Sequence, residues 1–355
     1  MDISVIRTIK NRLEDEAVRY SSTLEEYFPP IKGREFMVRV IREYIIGRGK
    51  RLRPILFVLS YQGYEKNSFN HTLYRGALGM ELMHIFALIH DDIIDRTDER
   101  RGEPSLHKLY ESHLQKREYD NARGEDYALV AGDILYSFGL ESFISMDVQA
   151  DLKSKAMHYL LQTAVRTGGG EIMELYSSGT DIDLMNKQEI SEVYDFKSSW
   201  YTFICPLVLG AMLGGAGHED LASLKTYGRY MGYAFQLRDD LLDMRDKYDA
   251  KERRSFDDIR GKKRTLLLWH ACQAASEPDR QLLKEIFCSP EVTLKQCREV
   301  REIYRKTRTF EFARKEIRAS MEKAQKEFSA LSMHPETKKI LQGFCEYLLS
   351  IEEID

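Results

Sequence analysis

An all-α bundle is the fold class that this 355-residue sequence predicts, and three observations predict it. Apolar residues recur at three- and four-residue spacing through most of the chain, the period of a helix that buries one face. Only 8 prolines and 22 glycines are present, so long helices can run without interruption. No stretch alternates polar and apolar residues between hairpin turns, so no sheet is expected.

Along the chain, the first twenty residues, MDISVIRTIKNRLEDEAVRY, are charged throughout and lack the apolar core of a signal peptide. A break falls at Tyr27–Gly33, which holds Pro29 and Pro30. From Leu73 to Ile94 the chain is apolar nearly all round, the mark of a central helix. Further breaks are expected around Gly102 to Ser105, at Gly214 to Gly217 and at Ser276 to Asp279. Trp200 to Gly217 carries no charge over a span just long enough to cross a bilayer. Pro206, Gly210 and the Gly214-Gly-Ala-Gly217 end make a buried core helix the expectation instead. Thr293 to Glu327 sets charges against Val300, Ile303, Tyr304 and Phe312, which predicts an amphipathic outer helix. With no repeat and no low-complexity tract, residues 1–355 read as a single domain.

Composition narrows the function classes. There are 53 basic and 57 acidic residues, a net charge of −4, which offers nucleic acid no bulk attraction. The five cysteines (Cys205, Cys272, Cys288, Cys297, Cys345) are scattered and form no CxxC pair. That excludes a disulfide framework and a thiolate zinc site, and suits a reducing, cytoplasmic home.

Two aspartate clusters carry the chemistry. Leu88-Ile-His-Asp-Asp-Ile-Ile-Asp95 holds Asp91, Asp92 and Asp95; Phe235-Gln-Leu-Arg-Asp-Asp-Leu-Leu-Asp243 holds Asp239, Asp240 and Asp243. On a helix the outer two carboxylates of each cluster share a face, and the middle one lies about 100° round. Like charges at that spacing repel, and the C-terminal end of a helix already carries partial negative charge. Folding gains nothing from the arrangement, so a cation is expected there. Oxygen-only donors suit a hard divalent ion, and magnesium keeps waters while bridging to substrate phosphates. Solvated acidic faces are common, but two copies on two apolar helices are not what a solvated face gives. The anionic partner is read from the basic residues: Lys50, Arg51 and Arg53 in Gly47-Arg-Gly-Lys-Arg-Leu-Arg-Pro54, Arg100 and Arg101 after the first cluster, and Lys262, Lys263 and Arg264 after the second. Arginine there can fork onto phosphate oxygens.

Taken together these residues resemble the trans-isoprenyl diphosphate synthases (polyprenyl synthetases). The matching blocks are Gly49–Pro54, His90–Gly102, Ala131–Asp133, Phe196–Ser199, Phe235–Asp243 and Asp257–Leu266, in the family's order and across most of the chain. The resemblance implies a bundle of long helices around a deep central cavity, usually as a homodimer, and no integral membrane segment. It implies that isopentenyl diphosphate is condensed with an allylic diphosphate (dimethylallyl, geranyl or farnesyl) by magnesium-assisted ionisation. Asp91, Asp92, Asp95, Asp239 and Asp243 would hold the metal, with Asp240 in support. Arg100 would meet the allylic diphosphate; Lys50, Arg53, His84 and Arg101 the isopentenyl headgroup. Lys197, Lys251 and Lys262 would close on the diphosphates, and Ser198 and Gln236 would present oxygens near the developing cation. His84, seven residues before Asp91, shares its helix face two turns deeper. Ser198 departs from the family's usual threonine, Glu171 from its usual glutamine, and Lys247–Phe256 from its usual lysine pattern.

In such enzymes the product grows down the first aspartate helix, and a bulky residue five positions before the first aspartate acts as a floor. Phe86 occupies that position, about 7–8 Å deeper than Asp91, beside the small Ala87. A short product of fifteen to twenty carbons is implied, geranylgeranyl diphosphate ahead of farnesyl. Two other readings stay open. A class I terpene cyclase also uses an aspartate-rich helix, but its second metal motif, Asn/Asp-x-x-Ser/Thr-x-x-x-Glu, is missing at the expected place. A non-catalytic subunit of a heteromeric synthase would keep the fold while losing metal ligands, and here both clusters are intact.

Overall fold

The computed structural model describes residues 3–30, 32–47, 49–65, 72–100, 102–114, 122–245 and 256–349. Helices α1 (Ile3–Ser21), α2 (Arg34–Ile46) and α3 (Leu52–Tyr64) lead into α4, whose bounds are Leu73–Ile94. Its first half is buried on all sides, as an all-round apolar sequence requires; its last turns open, and Asp91 and Asp95 emerge there. After α5 (Leu106–Leu114) come two long helices, α6 (Gly124–Ile144) and α7 (Ala150–Ser178). The second half holds α8 (Lys187–Val193), a π-helical segment Tyr194–Ile204, α9 (Cys205–Gly214) and α10 (His218–Asp243). It closes with α11 (Asp257–Arg260), α12 (Leu266–Ala274), α13 (Glu277–Cys288), α14 (Leu294–Lys306), α15 (Thr309–Ser329) and α16 (Pro335–Leu348).

Packing sets the two aspartate helices in the middle of the bundle. α4 lies against α6 and α3, while α10 lies against α15 and the π-helical segment. Gly79 lets α4 and α6 approach closely: a Cβ there would sit 2.7 Å from the carbonyl oxygen of Gly139. α6 is the one described helix long and apolar enough to cross a membrane, and it packs here against α4 and α5.

Three expectations need correction. A minimal sheet exists, in which Glu99–Arg100 pairs antiparallel with Glu103–Pro104 around Gly102 at φ 79°. The uncharged run from Trp200 is buried but is not one helix. Its first part continues the π winding from Tyr194, and α9 begins at Cys205, where Pro206 has no N–H to offer the ladder. The outer amphipathic helix is two, α14 and α15, because Arg308 adopts a left-handed φ of 54°.

Candidate active site

The last turns of α4 present the first cluster. Asp92, about 100° round from its neighbours, turns into the protein and is 1% exposed. There Arg100, carried on the short hairpin, donates from Nε to Asp92 Oδ2 (2.6 Å) and from Nη2 to Oδ1 (2.5 Å). Asp92 is expected among the metal-holding residues; in this structure each of its oxygens accepts one bond from Arg100. Asp91 and Asp95 face the cleft, with Asp91 Oδ2 3.7 Å from Arg100 Nη2 and Asp95 Oδ2 3.1 Å from Lys263 Nζ.

The facing wall is the π-helical segment, held close to α7 at Gly170, where a Cβ would come within 2.5 Å of the Lys197 backbone nitrogen. Lys197 reaches three carboxylates: Glu174 at 2.5 Å, Glu171 at 2.7 Å and Asp91 at 3.7 Å. Burial works against the charged ammonium, but Glu174 and Asp91 more than offset it, and its pKa ends above that of an ordinary lysine. Glu174 also lies 3.9 Å from Lys263 and so links both lysines. Sequence reasoning passed over Glu174; its three-residue spacing from Glu171 on one helix was the available signal.

From α10 comes the second cluster. Asp240 is buried, accepting from Tyr194 OH and from Gln236 Nε2 (2.9 Å). Ser198 Oγ in turn donates to Gln236 Oε1 at 2.5 Å, joining two residues that the sequence brought together only through the resemblance. Asp243 accepts the backbone N–H groups of Asp257 (2.9 Å) and Asp258 (3.0 Å) at the start of α11. Burial and the neighbouring Asp258 push its pKa up to about 8. Asp239 lies beside Arg238, Lys50 and Arg53, and burial raises its pKa to about 6. Asp258, whose pKa burial also lifts to about 6, lines the cavity and was not singled out from the sequence.

The basic residues divide. Arg53 donates from Nη2 to Thr202 Oγ1 (2.8 Å) and lies 4.4 Å above the Tyr201 ring. His84 approaches the same ring, with centroids 6.1 Å apart, and Lys50 is exposed beside Asp239. Lys262 is expected to close on the diphosphates. Its Nζ is turned onto the carbonyls of Ser289 and Pro290, and Lys263 is the one that enters the cleft. The cause is the backbone: Lys262 has a φ of 53°, which sends the two neighbouring side chains in different directions. Arg101 and Lys251 lie outside the described residues. Phe86 is half-buried next to Ala87, with its ring 4.5 Å from His90 and 5.0 Å from Tyr136 of α6.

Asp91, Glu174, Lys197, Ser198, Asp240 and Lys263 thus line one cavity of about 200 Å³ between the two aspartate helices. Its cleft-facing donors are oxygens alone, and lysine and arginine cations already lean on them. Among the described residues no three acidic, histidine or cysteine side chains converge to enclose a bare ion. The oxygen donors of the cleft suit a hard divalent ion such as magnesium, whose shell water and phosphate can complete.

The polyprenyl synthetase family model matches residues 35–306. The chain is 29% identical over 289 residues to a short chain isoprenyl diphosphate synthase of Methanothermobacter thermautotrophicus, covering 81% of each. It is 26% identical over 350 residues to a geranylgeranyl diphosphate synthase of Methanosarcina mazei, covering 98% of this chain and 99% of that one. Among solved structures it superposes on a geranylgeranyl pyrophosphate synthase of Corynebacterium glutamicum, crystallised with isoprenyl diphosphate and magnesium. The TM-score is 0.88, at 24% identity over 96% of this chain and 98% of that one.

Proposed function

We propose, from the premise that the chain belongs to the polyprenyl synthetase family and is a trans-prenyltransferase, that it extends an allylic diphosphate by isopentenyl units to geranylgeranyl diphosphate. One observation carries the reading. Asp91, Lys197, Asp240 and Lys263 line one cavity, Asp95 lies 3.1 Å from that same Lys263, and Asp239, one residue from Asp240, stands near the cations of Lys50 and Arg53. Two diphosphates need that much positive charge, and a cyclase substrate brings only one.

Each residue then has a task that follows from its chemistry. Asp91, Asp95 and Asp239 would hold magnesium, which would supply Lewis-acid neutralisation of the departing diphosphate, while Asp92 and Asp243, each with both oxygens accepting from donors of the chain, would support them from behind. Lys197 and Lys263 rest on carboxylates from which an arriving diphosphate can draw them, adding donors where charge develops. Arg53, with Lys50 beside it, grips the isopentenyl headgroup, and His84 lies on the same side. The Ser198–Gln236 pair presents oxygen lone pairs toward the allylic carbon as it becomes cationic. That cation has to be kept from water, which would quench it. The isopentenyl double bond attacks it, and the departed diphosphate takes the proton lost on product formation. No side-chain nucleophile is required.

Support for product length comes from Phe86, braced by Tyr136 and His90 below Asp91, and from the name of the Methanosarcina relative. Support for a homodimer comes from α7, where Leu161, Val165, Ile172 and Tyr176 form an exposed apolar stripe on one face, Tyr176 being 85% exposed. All five cysteines are free, which supports a reducing, cytoplasmic setting. The test is incubation with isopentenyl and dimethylallyl diphosphates and magnesium, followed by chromatography of the dephosphorylated products. A C20 alcohol is expected. A C15 end point would return the reading to farnesyl diphosphate, and a hydrocarbon product would replace it with a cyclase.

A further inference from the structure

The buried ion pair between Arg51 and Glu81 has no part in the chemistry above. Its side chains are 4% and 6% exposed, with Arg51 Nη1 donating to Glu81 Oε1 at 2.8 Å. The other end of the guanidinium donates from Nη2 to the carbonyls of Ile45 (3.1 Å) and Gly47 (2.6 Å). These carbonyls belong to the C-terminal end of α2, which helix geometry leaves without partners. Arg51 is also the residue before α3, and it holds a left-handed φ of 51°, unusual for a side chain with a Cβ. One planar fork therefore joins the end of α2, the start of α3 and the middle of α4, and a strained backbone is kept in place for it.

The chain between and just beyond these ties contains Lys50 and Arg53. Arg53 goes on to Thr202 and Tyr201, and both basic residues lie beside Asp239. Glu81 itself sits on the helix that ends in Asp91 and Asp95, ten residues and about 15 Å upstream. We infer that Arg51 and Glu81 are positioning residues that hang the isopentenyl-binding loop on the first aspartate helix and so set one substrate's headgroup against the other's. The inference rests on the prenyltransferase reading.

The test compares wild type, Glu81→Gln, Arg51→Lys and the charge-free pair Arg51→Met/Glu81→Leu. Glutamine keeps the shape and removes the charge; lysine cannot reach a carboxylate and two carbonyls at once. The double variant leaves no buried charge unmatched, so its melting temperature returns toward wild type. Its tie is still missing. Expected in all three variants is a KM for isopentenyl diphosphate raised tenfold or more, with the KM for the allylic substrate within twofold. Calorimetric titration with isopentenyl diphosphate should show the same loss. Equal shifts in both KM values, no shift, or recovery of the isopentenyl KM in the double variant would overturn the inference, as would failure of all three to fold. A wild type that turns over neither substrate overturns the underlying reading instead. If it also fails to bind isopentenyl diphosphate, both fall together.

Discussion

Replacing Asp92 with asparagine separates the ion pair that Asp92 makes from the metal work of its neighbours. The carboxylate is buried and receives two short charge-assisted bonds from Arg100. Removing one partner of a buried pair costs about 3–5 kcal/mol. An amide oxygen still accepts one of the bonds, and Asp91 stays 3.7 Å from the guanidinium, so the cost should fall to about 2–3 kcal/mol. For a chain of this length the entropy of unfolding is about 0.75 kcal/mol per kelvin near the midpoint, and the melting temperature should drop by about 3–4 °C. Kinetics should respond differently. Asp92 gives neither oxygen to the cleft, so the magnesium concentration for half-maximal turnover should stay within about threefold of wild type. In Asp91→Asn, where a cleft-facing donor is lost, turnover should fall by roughly 10² or more. The assay is incorporation of labelled isopentenyl diphosphate across a magnesium titration, alongside a thermal melt. A magnesium requirement raised as far in Asp92→Asn as in Asp91→Asn would show that Asp92 leaves Arg100 to hold metal, and the reasoning would fail.

The adjacent lysines should be unequal: Lys263→Ala should raise the allylic KM by an order of magnitude, and Lys262→Ala should cost stability alone, so matched KM effects would refute their placement. Phe86→Ala removes two ring contacts at about 0.5–1.5 kcal/mol each; the folded variant should make products at least one isoprene unit longer, read by chromatography. His270 is stacked on Phe312 and bonded through Nδ1 to Thr309 Oγ1, and burial, then Lys187, lowers its pKa. A lowered pKa means stability present above the unfolded histidine value and lost as pH falls through the folded one. A melt series from pH 7.5 to 5 should therefore decline less steeply in His270→Gln.

How far the sequence could be read depended on whether local pattern or backbone turning decided the outcome. α4 was legible to its bounds because an all-round apolar run with flanking polar residues leaves a single helical solution. The aspartate clusters were legible because their charge contradicts their surroundings. What escaped turns on left-handed residues that are not glycine. Arg308 splits the outer helix, and Lys262 redirects a lysine pair; neither residue type announces such a conformation. Glu174 escaped because its meaning lies in cations brought from other segments, Lys197 and Lys263, and Asp258 because only the fold buries it beside Asp243 and Lys197.

The π winding of Tyr194–Ile204 constrains how chains of this kind can change length. Lys197, Ser198 and Thr202 serve three different partners (Glu174, Gln236 and Arg53) from one stretch of backbone. A wider turn accommodates one more residue than an α-helix would over the same rise. Deleting a single residue would let the stretch relax to α winding with its flanks in phase, but side chains inside the segment would shift by one position against their partners. Lys197, Ser198 and Thr202 could then no longer all meet Glu174, Gln236 and Arg53. Substitutions can drift through this segment one side chain at a time, but its residue number is fixed by the three partners its side chains must meet. Insertions and deletions are left to the connections between helices.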